Sequence, residues 1–261
     1  MPLEVVSRPP VGSPRPTPLL FVHGAWHAAW CWENFLGYFA ERGYAAHALS
    51  LPGHGGSPGR ERLRWTRIAE YAAAVIEVAQ GLPTPPVLIG HSMGGLTVQK
   101  ALETCAAPAG VLLASVPPGG VLAGTLRLSQ RHPLVLLRVN LTFSLAPVVG
   151  TPALAREVLF SPGTPEAVVR ACHARLQDES YLAFLDMLAL DLPRPDRVRA
   201  PLLVLGGAQD GLFPPAEVEA TARACGVQAT VFPDMGHDLM LEPGWPQVAA
   251  HIAAWLEARG L

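Results

Sequence analysis

The sequence predicts an α/β protein with a mostly parallel, doubly wound sheet, helices on both faces and a helical insertion. Three observations predict it. Short, continuous apolar runs recur along the chain, the pattern of strands buried on both faces. Segments of helical spacing stand between them. The alternation fails between about Pro117 and Pro195, where only helical pieces are read, and it resumes afterwards.

The elements follow in order. Pro18–Val22 is an apolar run that ends at His23-Gly24, a strand followed by a turn. Trp32 to Arg42 places Phe35, Leu36 and Phe39 at helical spacing, and Gly43 stops it. Tyr44–Ser50 is a second strand, closed by Pro52-Gly53-His54-Gly55-Gly56. Thr66 is the expected cap of a helix running to about Gln80. Val87–Ile89 is a third strand, Met93–Cys105 a helix, and Gly110–Ala114 a fourth strand. Leu202–Leu205 and Thr230–Phe232 are strands, followed by helices around Ala216–Ala224 and Pro246–Ala258. Within the insertion, Pro165–Leu176 and Ser180–Leu190 read as helices, with Thr164 and Pro165 as a start signal. The expected division is a core of residues 1–116 and 196–261 with a helical cap or lid of residues 117–195 over the sheet's ligand edge.

Composition narrows the function. The 261 residues are half apolar and 15% charged, against roughly 25% charged in an average globular chain. Such a chain is not globally disordered. Its net charge of −2 offers no basic excess for phosphates, so no nucleic-acid partner is expected. The 25 glycines and 27 prolines read as many tight loops. Residues 1–10 lack a basic stretch followed by an apolar core, so no secretory signal is expected. Pro117-Pro118 and Gly119-Gly120 break the nearest approach to a membrane span, Val111–Leu126. Cys31, Cys105, Cys172 and Cys225 lie far apart without a Cys-x-x-Cys pair, so buried free thiols are expected rather than a zinc cluster. The expectation is a cytoplasmic protein, monomer or homodimer, with no metal and no cofactor.

The chemistry centres on Gly90-His91-Ser92-Met93-Gly94-Gly95, which follows a strand and precedes a helix. A Gly-x-Ser-x-Gly pattern alone is weak; between strand and helix it reads as a nucleophile elbow. The serine sits in a strained turn, Gly90 and Gly94 let backbones pass closely, and the helix N-terminus favours negative charge. A glycine-rich turn with a solvated serine is the alternative. A serine hydroxyl needs a base, and the base an orienting acid. Asp210 follows one late strand and His237 the next, so Ser92, Asp210 and His237 all fall at the sheet edge where open α/β sheets bind ligands.

In this order, with the His23-Gly24 turn and the Met235-Gly236-His237 loop, the chain resembles the α/β-hydrolase-fold superfamily. The run Phe21–Trp32 is similar to the branch of plant methylesterases and hydroxynitrile lyases. The resemblance implies Ser92 as nucleophile, His237 as base then acid, and Asp210 as the group that orients it. It implies an oxyanion hole from the backbone N–H groups of Ala25 and Met93, with Trp26 a second candidate beside Ala25. Ser92 in place of an aspartate disfavours the branches that form an ester on a carboxylate.

Other residues carry plainer readings. His23 and His91 support loop geometry. Trp26 and His27 are candidate pocket residues, although His27 and His54 read first as exposed loop histidines. Asp234 and Asp238 adjoin His237, and a side chain next to the histidine points the wrong way to serve it. Between Pro117 and Phe160 the charged residues are Arg127, Arg131, Arg138, Arg156 and Glu157 alone, so the cap's Leu and Val residues can line an apolar pocket or pack onto the sheet. The expected activity is hydrolysis of small to medium apolar carboxylic esters through an acyl-enzyme. A lyase, a C–C bond hydrolase and a non-catalytic binding protein are the alternatives. Lys100, the one lysine, sits in the helix after the elbow and argues against the lyase arrangement.

Overall fold

The structure is a computed structural model and describes residues 2–261; Met1 lies outside the described residues. Seven strands form one sheet, β1 (Val5–Arg8), β2 (Leu19–Val22), β3 (Ala46–Leu49), β4 (Val87–His91), β5 (Gly110–Leu113), β6 (Leu202–Gly207) and β7 (Ala229–Phe232). Their order is β1-β3-β2-β4-β5-β6-β7. All neighbours are parallel except β1, which pairs antiparallel with β3 from Val5 opposite Leu49 to Arg8 opposite Ala46. The sequence reading missed β1. It is an edge strand of four residues whose alternation, half-buried then exposed, is too short to register.

The apolar strand runs predict a sheet covered on both faces, and it is. On one face α1 (Glu33–Ala40) and α10 (Trp245–Glu257) pack Phe35, Phe39, Ile252 and Leu256 against Leu19, Phe21, Ile89 and Val111. On the other, α2 (Ile68–Gly81), α3 (Met93–Leu102) and α9 (Pro215–Ala224) pack Val75, Leu96 and Val218 against Leu20, Val22, Leu88 and Leu112. Alternate residues of one strand thus serve opposite cores, which is why no polar residue interrupts β2.

This arrangement sets the location of a site. The chain leaves β2 through α1 on one face and leaves β4 through α3 on the other. β2 and β4 are neighbours in the sheet. A crevice therefore opens beyond their carboxyl ends, the switch point at which such sheets bind ligands.

Between β5 and β6 lie five short helices, α4 (Leu122–Arg131), α5 (Pro133–Thr142), α6 (Pro152–Leu159), α7 (Glu166–His173) and α8 (Tyr181–Leu185), the last continuing into a wider turn over Asp186–Leu190. This segment clasps the rest of the chain. Asp186, fully buried, accepts from Arg67 Nε at 2.7 Å and from the Ile68 N–H at 3.0 Å. The helix expected to be capped by Thr66 is capped one residue later, by Arg67, and starts at Ile68, whose free N–H is satisfied from 118 residues away. Among the described residues no helix is long and apolar enough to cross a membrane.

Candidate active site

Ser92 stands between the end of β4 and the start of α3 with φ 54° and ψ −119°. A positive φ is strained for a serine, and its surroundings hold it there. Its N–H donates to the Leu113 carbonyl at 3.0 Å, and its own carbonyl accepts from Gly95, Leu96 and Val116. The glycines of the pattern have a spatial cause. A Cβ on Gly94 would fall onto the backbone oxygens of Val22 and His23, and one on Gly90 onto the backbone of Gly94. Gly24 matters for the same reason: a Cβ there would lie 2.9 Å from the Ser92 Cβ.

Asp210 follows β6. Its Oδ1 accepts from the N–H groups of Leu212 at 2.7 Å and Phe213 at 2.9 Å, which fixes the carboxylate. Its Oδ2 accepts from His237 Nδ1 at 2.8 Å. That bond leaves His237 Nε2 as the acceptor nitrogen, and this atom is buried with no hydrogen-bond partner. The imidazole is flanked by His91, with ring centroids 4.7 Å apart, and by Phe213 at 5.4 Å. Burial, then the nearby His237 ring, push His91 down to about 3, so His91 is neutral and its Nε2–H donates to the His237 carbonyl at 3.0 Å. Glu242 accepts from the Gly236 N–H at 3.0 Å and from the Ser161 hydroxyl at 2.8 Å, tying the His237 loop to the segment between β5 and β6.

The loop after β2 supplies the remaining wall. Gly24–His27 close a turn through His27 N–H to the Gly24 carbonyl at 3.4 Å, with Trp26 at φ 67° where such turns favour glycine. Trp26 is held by two bonds: its Nε1–H donates to the Leu145 carbonyl at 3.2 Å, and its carbonyl accepts from the Gln177 N–H. Among the described residues, the N–H groups of Ala25 and Met93 donate to no backbone carbonyl. Ala25, Trp26, Ser92 and Met93 line one cavity, closed on its far side by Leu128, Leu136, Val139 and Phe184. The cavity is a narrow slot of about 80 Å³. No charged residue lines it, and Ser92 and Thr125 carry its only side-chain hydroxyls.

The structure corrects two readings. His27 and His54 are not exposed loop histidines; both are fully buried. Nor does His27 line the cavity. Its Nε2 bonds Asp238 Oδ2 at 3.1 Å and its Nδ1–H donates to the Ala25 carbonyl at 2.8 Å. Burial disfavours charge on both groups, yet their attraction and hydrogen bond raise His27 well above the usual histidine range and lower Asp238. His54 sits 3.0 Å from the Glu179 carboxylate, which also accepts from the Tyr71 hydroxyl. Sequence reasoning missed these pairs because their partners are 100 or more residues apart, with no local pattern to reveal them. It missed equally that His27, Cys172 and Asp238 bring three potential metal-ligating atoms within 4.8 Å of one another. Lys100, by contrast, is turned to Asp191 at 2.7 Å and stands off the cavity wall.

The chain belongs to the alpha/beta hydrolase family, which it matches over residues 19–250. It is similar to the rice (Oryza sativa subsp. indica) protein named "Probable esterase PIR7A", 31% identical over 167 residues that cover 58% of this chain and 63% of that one. It is also similar to Methylesterase 2 of Arabidopsis thaliana, 31% identical over 86 residues covering 32% of this chain and 33% of that one. The chain thus spans from a third to under two thirds of the lengths of these curated relatives. Among solved structures, a monoacylglycerol lipase of Paleococcus ferrophilus superposes with a TM-score of 0.75 at 23% identity, covering 99% of this chain and 100% of that one. A thermophilic esterase of Thermogutta terrifontis gives 0.76 at 21% identity, covering 99% and 95%. These likenesses are of fold.

Proposed function

We propose that this protein is a serine hydrolase of small to medium apolar carboxylic esters, working through an acyl-enzyme. The observation that carries the reading is the Asp210–His237 pair at 2.8 Å, which leaves a buried, partnerless Nε2 to accept a proton beside the elbow that holds Ser92. Ser92 Oγ adds to the ester carbonyl carbon as its proton passes to Nε2. The negative oxygen so formed accepts from the Ala25 and Met93 N–H groups, and α3 points its N-terminus at it. Collapse expels the alcohol, which takes the proton from His237. Water then gives a proton to Nε2 as it attacks the acyl-serine carbonyl. On collapse the C–Oγ bond breaks and that proton passes from His237 to Ser92 Oγ, releasing the acid and restoring both residues.

The esterase names among the sequence relatives support the reading. The apolar slot supports an apolar substrate, and Trp26 is its wall. In this reading residues 117–195 form the cap over a core of 1–116 and 196–261. The lyase and C–C cleavage alternatives lose support from the structure: Lys100 is engaged elsewhere, and no charged group on the slot would meet a polar dienoate or diketone.

The test is hydrolysis of p-nitrophenyl esters from acetate to decanoate by wild type and Ser92→Ala. Turnover that falls by at least about 10³-fold in the variant supports the proposal. Wild-type protein that is folded and turns over none of the series contradicts it.

A further inference from the structure

The outer face of α4 and α5 is apolar and faces solvent. Leu122 and Leu126 on α4 and Leu134, Leu137 and Leu141 on α5 are between 53% and 70% exposed. Phe143, at φ 49° just past α5, and Trp65, whose ring lies 6.3 Å from it, continue the face at 46% and 55% exposure. The inner face of the same pair is apolar too, since Leu128, Leu136 and Val139 line the slot. A surface helix ordinarily turns a polar side to water; α4 and α5 turn five leucines to it among their arginines and amides, and an exposed apolar patch of this kind marks an interaction site.

Charge indicates which partner. No carboxylate occurs between Glu103 and Glu157, whereas four arginines do. Arg127, Arg131 and Arg156 are paired with Glu217, Glu157 and Glu166. Arg138, on α5 itself, has no such partner among the described residues, nor has Arg64, next to Trp65. The turn Arg60–Trp65 adds Arg60 and Arg64 against the single carboxylate Glu61, its third arginine, Arg62, being paired with Glu70. This local cationic excess belongs to a chain whose net charge is −2. A second copy of the same face would oppose arginine to arginine. An anionic lipid surface matches instead: leucines and a tryptophan for the acyl boundary, arginines for the headgroups.

We infer that the α4–α5 face docks on an anionic lipid surface. The inference rests on the proposed hydrolase reading for its purpose, because docking sets the slot's roof against the phase in which apolar esters dissolve. Its test does not need turnover.

Sedimentation is measured with vesicles of phosphatidylcholine, alone and with phosphatidylglycerol added. The expected result is binding to the anionic vesicles that weakens with salt. Leu134→Glu combined with Leu141→Glu lowers the partition coefficient by at least about tenfold, and Arg138→Gln lowers it about fivefold. All variants keep the wild-type melting temperature, and any hydrolysis of water-soluble p-nitrophenyl acetate stays at the wild-type rate. Absence of binding to anionic vesicles overturns the inference, as does binding indifferent to these substitutions. Wild-type dimers that become monomers in Leu134→Glu while vesicles are ignored would assign the face to a second copy and overturn it equally. A protein that binds vesicles but hydrolyses no ester leaves the docking standing and sinks the hydrolase reading.

Discussion

Asp238 and His27, 211 positions apart in sequence, share a 3.1 Å hydrogen bond with both side chains fully buried. Because His27 Nδ1 also donates to the Ala25 carbonyl, both ring nitrogens are donors and the ring is an imidazolium. The pair thus joins the loop that offers the Ala25 N–H to the loop that carries His237. Asp238→Asn leaves a buried cation without its counter-charge, and breaking such a pair costs about 3–5 kcal/mol. Chemical denaturation should show that loss for the single variant and a smaller one for His27→Gln/Asp238→Asn. Equal losses would mean that the two groups do not act as a pair.

The neutral His91 ring gives a pH dependence. Its folded value is about 3 against an ordinary 6.5, so between those limits the unfolded chain binds more protons than the folded one. Stability therefore falls as pH drops through 6.5 toward 3 and is fully present above 6.5. His23, lowered by burial and by His54, acts with the same sign. His27 acts oppositely: its raised value makes its contribution fully present below the ordinary 6.5 and lost as pH rises through the raised value. Melting temperatures from pH 7 to 4 should fall, and fall less steeply in His91→Gln, which keeps a donor for the His237 carbonyl. Parallel slopes would contradict this assignment.

Gly94 tests the crowding around the elbow. Gly94→Ala drives a Cβ into backbone oxygens of β2 and has nowhere to relax. Overpacking of this kind costs about 1–3 kcal/mol. The expected outcome is a lowered denaturation midpoint together with lost ester hydrolysis, because the same shift moves Ser92 away from Gly24. An active, fully stable variant would show that β2 and α3 separate freely.

The Asp186 clasp predicts where the molecule opens first. Asp186→Ala strips the buried Ile68 N–H and the exposed Arg67 guanidinium of their acceptor, a loss of about 1–3 kcal/mol that comes from the buried N–H. Limited proteolysis should then cut earlier within residues 117–195 than elsewhere. Unchanged cutting there would show that the clasp does not hold the segment down.

The fold was legible where one segment carries its own signal. The apolar runs of β2, β4, β5 and β6 have one explanation, burial on two faces, and Gly90–Gly95 announces a tight turn whose neighbours the structure supplies. The pairing of Asp210 with His237 was legible because both end a strand on the same sheet edge. What escaped were relations between distant segments. The half-exposed β1 is defined only by its partner β3, the start of α2 is set by Asp186, and His27 acquires its counter-charge from Asp238. Local polarity misassigns such residues, since a histidine destined for a buried pair looks like any loop histidine until its partner is placed.

The central claim is that His237 activates Ser92, and reaction with a fluorophosphonate, read by intact mass and peptide mapping, tests it most directly. The account predicts a single adduct on the peptide that carries Ser92, absent in Ser92→Ala and formed at least about 10³-fold more slowly in His237→Ala. Folded wild-type protein that stays unmodified, or an adduct that survives Ser92→Ala, would contradict it.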